Sequence, residues 1–96
     1  MSRPNLIEVE LGAVSSKRAL HETLARALGF PGWYGHNWDA FWDAITGLVE
    51  MPMSLRLTGW SKFTVQLPAE AQTLHDILAE MATRYPDLAP EVWAPK

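Results

Sequence analysis

"GFPGWYGHNWDAFWDAITG", residues Gly29–Gly47, gathers three tryptophans, a tyrosine and two aspartates into one short stretch. Pro31, Gly32 and Gly35 bracket Trp33 and Tyr34 and read as a loop. Asn37 suits a helix N-cap, because its side-chain oxygen can accept one of the backbone N–H groups that a helix start leaves without a partner. The spacing predicts a helix from Trp38 to about Thr46, ended by Gly47. At about 100° per residue, Trp38, Phe41, Trp42 and Ile45 share one side, Asp39 and Asp43 a neighbouring side, and Ala40 and Ala44 face away from both.

Two like charges four residues apart destabilise an isolated helix by about 0.2–0.5 kcal/mol. Asp39, in the first turn, is offset by the helix dipole. Asp43 has no such support. A second acid on a solvated helix face is ordinary structure, so the pair alone decides little. The aromatic load weighs against that reading: Trp33, Tyr34, Trp60 and Trp93 stand beside Trp38 and Trp42 in a 96-residue chain, too many rings for one small core. Exposed Trp and Tyr beside fixed charges have the composition of a binding hot spot.

Working outward, "LIEVEL" alternates with Ile7, Val9 and Leu11 on one side and Glu8 and Glu10 on the other, predicting a half-exposed strand over Leu6–Leu11. "SSKRALHETLARALG" repeats Leu20, Leu24, Ala27 and Leu28 at helical spacing, with Ser15 or Ser16 to cap the start and Gly29 to stop it. "MSLRL" from Met53 alternates again after Pro52, and a helix between two strands points to a parallel crossover. The alternation also puts Glu8 or Glu10 beside Arg56 on the polar face. "GWSKFTVQL" reads as a short helix. Pro68 opens a clearer one, through about Arg84, with an apolar stripe of Leu74, Ile77, Leu78, Met81 and Tyr85. The tail "PDLAPEVWAPK" has room at most for an edge strand over Glu91–Ala94. His21 and His75 read as solvated helix residues.

Composition narrows the function. At 96 residues the chain is one domain, 1–96, without space for a second core or a large enclosed site. A formal charge of −3 with scattered Lys and Arg is the wrong sign for nucleic acid and suits a basic partner. No cysteine is present, which removes disulfides and thiolate metal sites. With neither a leader pattern nor a long apolar run, the expectation is a cytoplasmic protein without a membrane partner.

"GWYGHNWDAFWDAITGLVEMP", Gly32–Pro52, resembles the signature segment of the barstar family, intracellular inhibitors of barnase-type secreted ribonucleases: aromatic, Tyr, Gly, any residue, Asn, apolar, Asp, Ala, aromatic or Leu, Trp, Asp, then Thr-Gly and a Pro. The order of elements agrees through about Arg84. The resemblance implies an α/β fold with a small parallel sheet, three-stranded or, without the tail, two-stranded, packed by three to four helices. It also implies that the acidic helix and its preceding loop plug the ribonuclease cleft, carboxylates standing where RNA phosphates would sit. The barstar–barnase complex is itself the reference case for hot spots and charge-pair coupling at interfaces.

On that resemblance Asp43 matches the deepest-inserting aspartate and Asp39 the other key acid. Trp33 stands at the loop Tyr, Asn37 keeps the cap, Trp42 matches the helix Trp and Trp38 takes an apolar rim position. Gly35, His36, Thr46 and Glu80, the last by ungapped count, complete the implied partner-binding set. The departures are Trp33 for Tyr, Leu48 for a Trp, and His36 for an acid. The implied partner is an extracellular, guanyl-preferring bacterial ribonuclease, bound 1:1 by a free monomer with no cofactor. An immunity protein or antitoxin against another toxin is the nearest alternative. A carbohydrate-binding module is more distant, lacking an export signal and a β-sandwich pattern. His36 and Asp39 are poor metal ligands without a third partner, and an i, i+4 acid pair on one helix lacks the facing geometry of glycoside hydrolysis.

Overall fold

The computed structural model describes residues 3–94, and in it the alternating runs pair side by side. Strands β1 (Leu6–Glu10), β2 (Ser54–Thr58) and β3 (Glu91–Trp93) form a three-stranded sheet in the order β1-β2-β3, parallel throughout. Helices α1 (Lys17–Leu28) and α2 (Trp38–Asp43) lie in the first crossover, α3 (Trp60–Gln66) and α4 (Pro68–Arg84) in the second. The α/β architecture and the short helix after β2 are as the sequence implies. Pro95 lies outside the described residues, as do Met1 and Ser2, on which part of the leader reading falls.

Parallel sheets usually have both faces covered, and their strands then read as continuous apolar runs. Here one face is open. Val9, Leu55 and Leu57 are buried against the helices, while Glu8, Glu10, Arg56 and Trp93 are exposed on the other side. Glu8 and Arg56 are register partners, with Nε and Oε2 3.5 Å apart, so the expected charge pairing falls on Glu8. Glu10 instead accepts from the Thr58 hydroxyl at 2.8 Å and from the Gly12 N–H. One core unites the elements: Leu20 and Leu24 from α1, Phe41 from α2, Phe63 from α3, and Leu74 and Met81 from α4 meet the buried strand residues. Full burial of a side chain such as Phe41 is worth about 1.5–3 kcal/mol.

Local signals explain most boundaries. Ser16 caps α1, its hydroxyl accepting from Ala19 N–H, and Gly29 ends it at φ 74°. β1 stops at Glu10 and β2 starts at Ser54, one residue inside each expected end. The acidic helix differs more. It is α-helical only to Asp43, after which Ala44–Leu48 form a π turn closed by Val49 N–H on the Ala44 carbonyl at 3.1 Å. Ala44 does not face away from the core as expected: three residues after Phe41 and next to Ile45, it lies on the side that α2 turns to the core, its own N–H still bonded to the Ala40 carbonyl, and it is fully buried.

The tail forms the third strand. Glu91 N–H donates to the Met53 carbonyl at 2.8 Å, and Pro90 is buried just before it, where a missing N–H does no harm. Arg3 holds this seam. Its guanidinium donates to the carbonyls of Met51 (2.8 Å), Pro52 (2.9 Å), Asp87 (3.1 Å), Leu88 (3.1 Å) and Ala89 (3.4 Å). A planar fork of N–H groups fits such a ring of acceptors, which a point-like ammonium would not.

Candidate functional site

The loop before α2 is built from the inside. Tyr34 turns back on Pro31, its N–H donating to that carbonyl at 3.0 Å, and its ring is buried while Trp33 next to it is 73% exposed. His36 takes a left-handed φ of 51°, tolerable for a polar residue in a turn. A Cβ on Gly35 would stand 3.1 Å from Asn37 Nδ2, so a larger residue would press on the cap. Asn37 Oδ1 accepts from Ala40 N–H at 2.7 Å and Nδ2 donates to the Gly35 carbonyl at 3.0 Å. Both polar ends of Asn37 therefore serve the loop and helix start.

Beneath this loop the sequence reading of His21 is corrected. His21 is fully buried rather than solvated, because the loop folds Tyr34 over it and α2 lays Trp38 beside it. Its Nδ1 lies 2.6 Å from the Tyr34 hydroxyl, and the Trp38 ring centroid is 4.6 Å from its own. The Tyr34 hydroxyl also lies 3.3 Å from the Asn37 carbonyl, so it bridges the buried imidazole and the start of α2. Nε2 is buried without a hydrogen-bond partner among the described residues. Burial pushes the Tyr34 phenol up to about 12. His75, by contrast, is exposed as expected.

Burial also holds the His21 imidazole below its ordinary 6.5, Lys17 and His36 adding to the effect and Glu70 opposing it. A base depressed in the folded state takes up protons in the unfolded chain first. Its contribution to stability is therefore complete above about 6.5 and is lost as pH falls through that value toward the folded-state one. The expected slope in that window is up to about 1.4 kcal/mol per pH unit. Denaturant midpoints at pH 7.5 and 5.5 should fall further apart for the natural chain than for His21→Gln; equal spacing would remove His21 as the source.

On the outer side, Trp38, Asp39, Trp42, Asp43, Ile77, Glu80 and Arg84 line one open depression between α2 and α4. Trp38 is half-buried, its indole N–H donating to Glu70 Oε2 at 2.8 Å and its ring edge-on to Phe41. Trp42 is half-buried against Tyr85 and under the Arg84 guanidinium, 5.5 Å from the ring centroid. Asp39, Asp43 and Glu80 are exposed, and none forms an ion pair or accepts a side-chain hydrogen bond among the described residues. The Thr46 hydroxyl donates to the Trp42 carbonyl at 2.6 Å inside the π turn, and Trp33 stands on the loop outside this depression. The structure thus gathers Trp38, Asp39, Trp42, Asp43 and Glu80, and leaves Gly35, His36 and Asn37 on the adjoining loop. Arg84 is the residue that sequence reasoning passed over, although its position one turn after Glu80 on the same helix was a signal.

An α/β scaffold with a short helix that presents free acids framed by tryptophan defines a binding protein of a particular kind. The barstar (barnase inhibitor) family profile matches residues 5–94, and the chain belongs to that family. It is also 36% identical over 61 residues to "Putative ribonuclease inhibitor YrdF" of Bacillus subtilis (strain 168), a match covering 64% of this chain and 67% of the relative. The resemblance read from Gly32–Pro52 is borne out, and the family consists of inhibitors rather than enzymes. Among the described residues no helix is long and apolar enough to cross a membrane, and no group of three or more His, Cys, Asp or Glu is placed to hold a metal ion.

Proposed function

We propose that the chain is an intracellular inhibitor of a barnase-type, guanyl-preferring secreted ribonuclease. Asp39, Asp43 and Glu80 enter its cleft in place of RNA phosphates, with Trp33, Trp38 and Trp42 packing around them. The carrying observation is that three carboxylates from two elements converge on one depression and stay unpaired among the described residues. Acids already paired within the fold would have to break those pairs to meet an enzyme's cations; these need only shed water. The loop scaffold fits the same reading. Tyr34, Gly35 and Asn37 fix the start of α2, and Thr46 fixes its end, so the acids arrive preorganised. The name of YrdF and the family match support the enzyme class.

Barnase is the test enzyme. Added in increments, the chain should abolish RNA cleavage linearly, reaching zero at one equivalent, with no cofactor required. Cleavage that persists with the inhibitor in excess would overturn the reading. Opposed charges should also speed encounter, so the association rate is expected to fall about tenfold or more between low salt and about 0.5 M, while dissociation changes far less. Stopped-flow tryptophan fluorescence follows both, and an association rate indifferent to salt would exclude steering by these acids.

A further inference from the structure

The depression that carries the acids also carries a cation. Arg84 closes α4 one turn after Glu80, in the order that favours an i, i+4 pair within the helix. That pair is not made. No Arg84 nitrogen lies within 4.0 Å of a carboxylate oxygen among the described residues. The guanidinium instead lies over two rings, 5.5 Å from the Trp42 centroid and 5.7 Å from that of Tyr85. A planar, weakly hydrated cation is well held on aromatic faces, and this placement fixes its position while leaving its N–H groups available. The depression therefore presents three negative groups and one positive group in a defined arrangement, not a uniform acidic patch.

We propose that Arg84 is a specificity-determining residue of this face, admitting ribonucleases that offer a carboxylate opposite it and disfavouring a rim that is basic throughout. The inference rests on the reading of the face as ribonuclease-blocking. Complementarity to Asp39, Asp43 and Glu80 calls for cations on the partner, and each cation brought near Arg84 is repelled. Discrimination between related partners is often set by one such repulsive element set among attractive ones. An acid on the partner, at the place Arg84 meets, turns the same contact into a charge-assisted hydrogen bond.

The probe is barnase, in its natural form and as a set of variants in which each surface Lys or Arg is changed singly to Glu. Titration calorimetry is run with the natural chain, Arg84→Gln and Arg84→Glu, each first shown by circular dichroism and thermal melting to be folded. On natural barnase, Arg84→Glu is expected to bind at least tenfold tighter than the natural chain, with Arg84→Gln between them. At least one barnase variant should reverse that order, binding the natural chain better than Arg84→Glu. Affinities equal within twofold on every enzyme form would overturn the proposal and leave the ribonuclease reading standing. A chain that binds natural barnase neither as Arg84 nor as Arg84→Glu would bring down both.

Discussion

Asp43→Ala is expected to leave the melting temperature of the free chain nearly unchanged while weakening its complex with a barnase-type ribonuclease by about 3–5 kcal/mol. At about 1.4 kcal/mol per decade, that is two orders of magnitude or more in Kd. The first half follows from position. Asp43 is exposed, lies midway through the continuous run of α2 and π turn from Trp38 to Leu48, and has no ion-pair partner among the described residues. Its removal takes nothing from the fold and relieves its repulsion with Asp39. The second half follows from the partner. Cationic groups dehydrated against Asp43 would be left buried with nothing to accept their hydrogen bonds, and an unpaired buried charge is far worse than a mediocre pair. Asp39→Ala should show a smaller loss and Glu80→Ala a smaller one still. Calorimetric titration beside a melt of the free variant decides it: unaltered affinity with an intact fold would remove Asp43 from the site.

The opposite profile is expected of Arg3→Ala, which should destabilise the fold and spare the acidic face. Its five carbonyl acceptors belong to the loop before β2 and the turn before β3. Several of these bonds are partly buried, and hydrogen bonds to a charged group are worth more than neutral ones. A net loss of about 2–4 kcal/mol is expected, allowing for water that replaces the exposed bonds. For a domain of this size the melting temperature should drop by about 10–20 °C. Arg3→Lys should recover only part of that, since an ammonium cannot reach both segments at once. A melt of Arg3→Ala that overlays the natural one would show that the carbonyls are equally well served by solvent.

Which features were legible follows from where their causes lie. β1 and β2 announced themselves because the sheet is open on one face, so Glu8 and Arg56 alternate with Val9, Leu55 and Leu57. Asn37 could be read as a cap, and the shared side of Asp39 and Asp43 is pure helix geometry. Three things had no local cause to read. The burial of His21 depends on Tyr34, which a loop brings back from thirteen residues away. The π turn is a backbone event at Ala44–Leu48 that no side-chain pattern marks. Arg3 binds carbonyls, which every residue possesses, so no side-chain pattern marks its partners. Arg84 is intermediate: a cation in the last helical turn satisfies the dipole wherever it occurs, and only the approach of Trp42 gives this one a second setting.

The reach of Arg3 also sets a timetable. Its acceptors at Asp87, Leu88 and Ala89 lie 84, 85 and 86 residues downstream. At about 5–20 residues per second, a ribosome delivers them roughly 4–17 s after Arg3 itself. Helical turns form in about a microsecond or less, so α1 and α2 have an enormous head start over the seam that secures them. Asp39 and Asp43 precede Asp87 by 48 and 44 residues, so for roughly 2–10 s of that interval these two acids exist on a nascent chain that has no latch to hold the sheet beneath them. A cell that makes such an inhibitor alongside its target would gain from beginning the inhibitor's translation first by at least that interval.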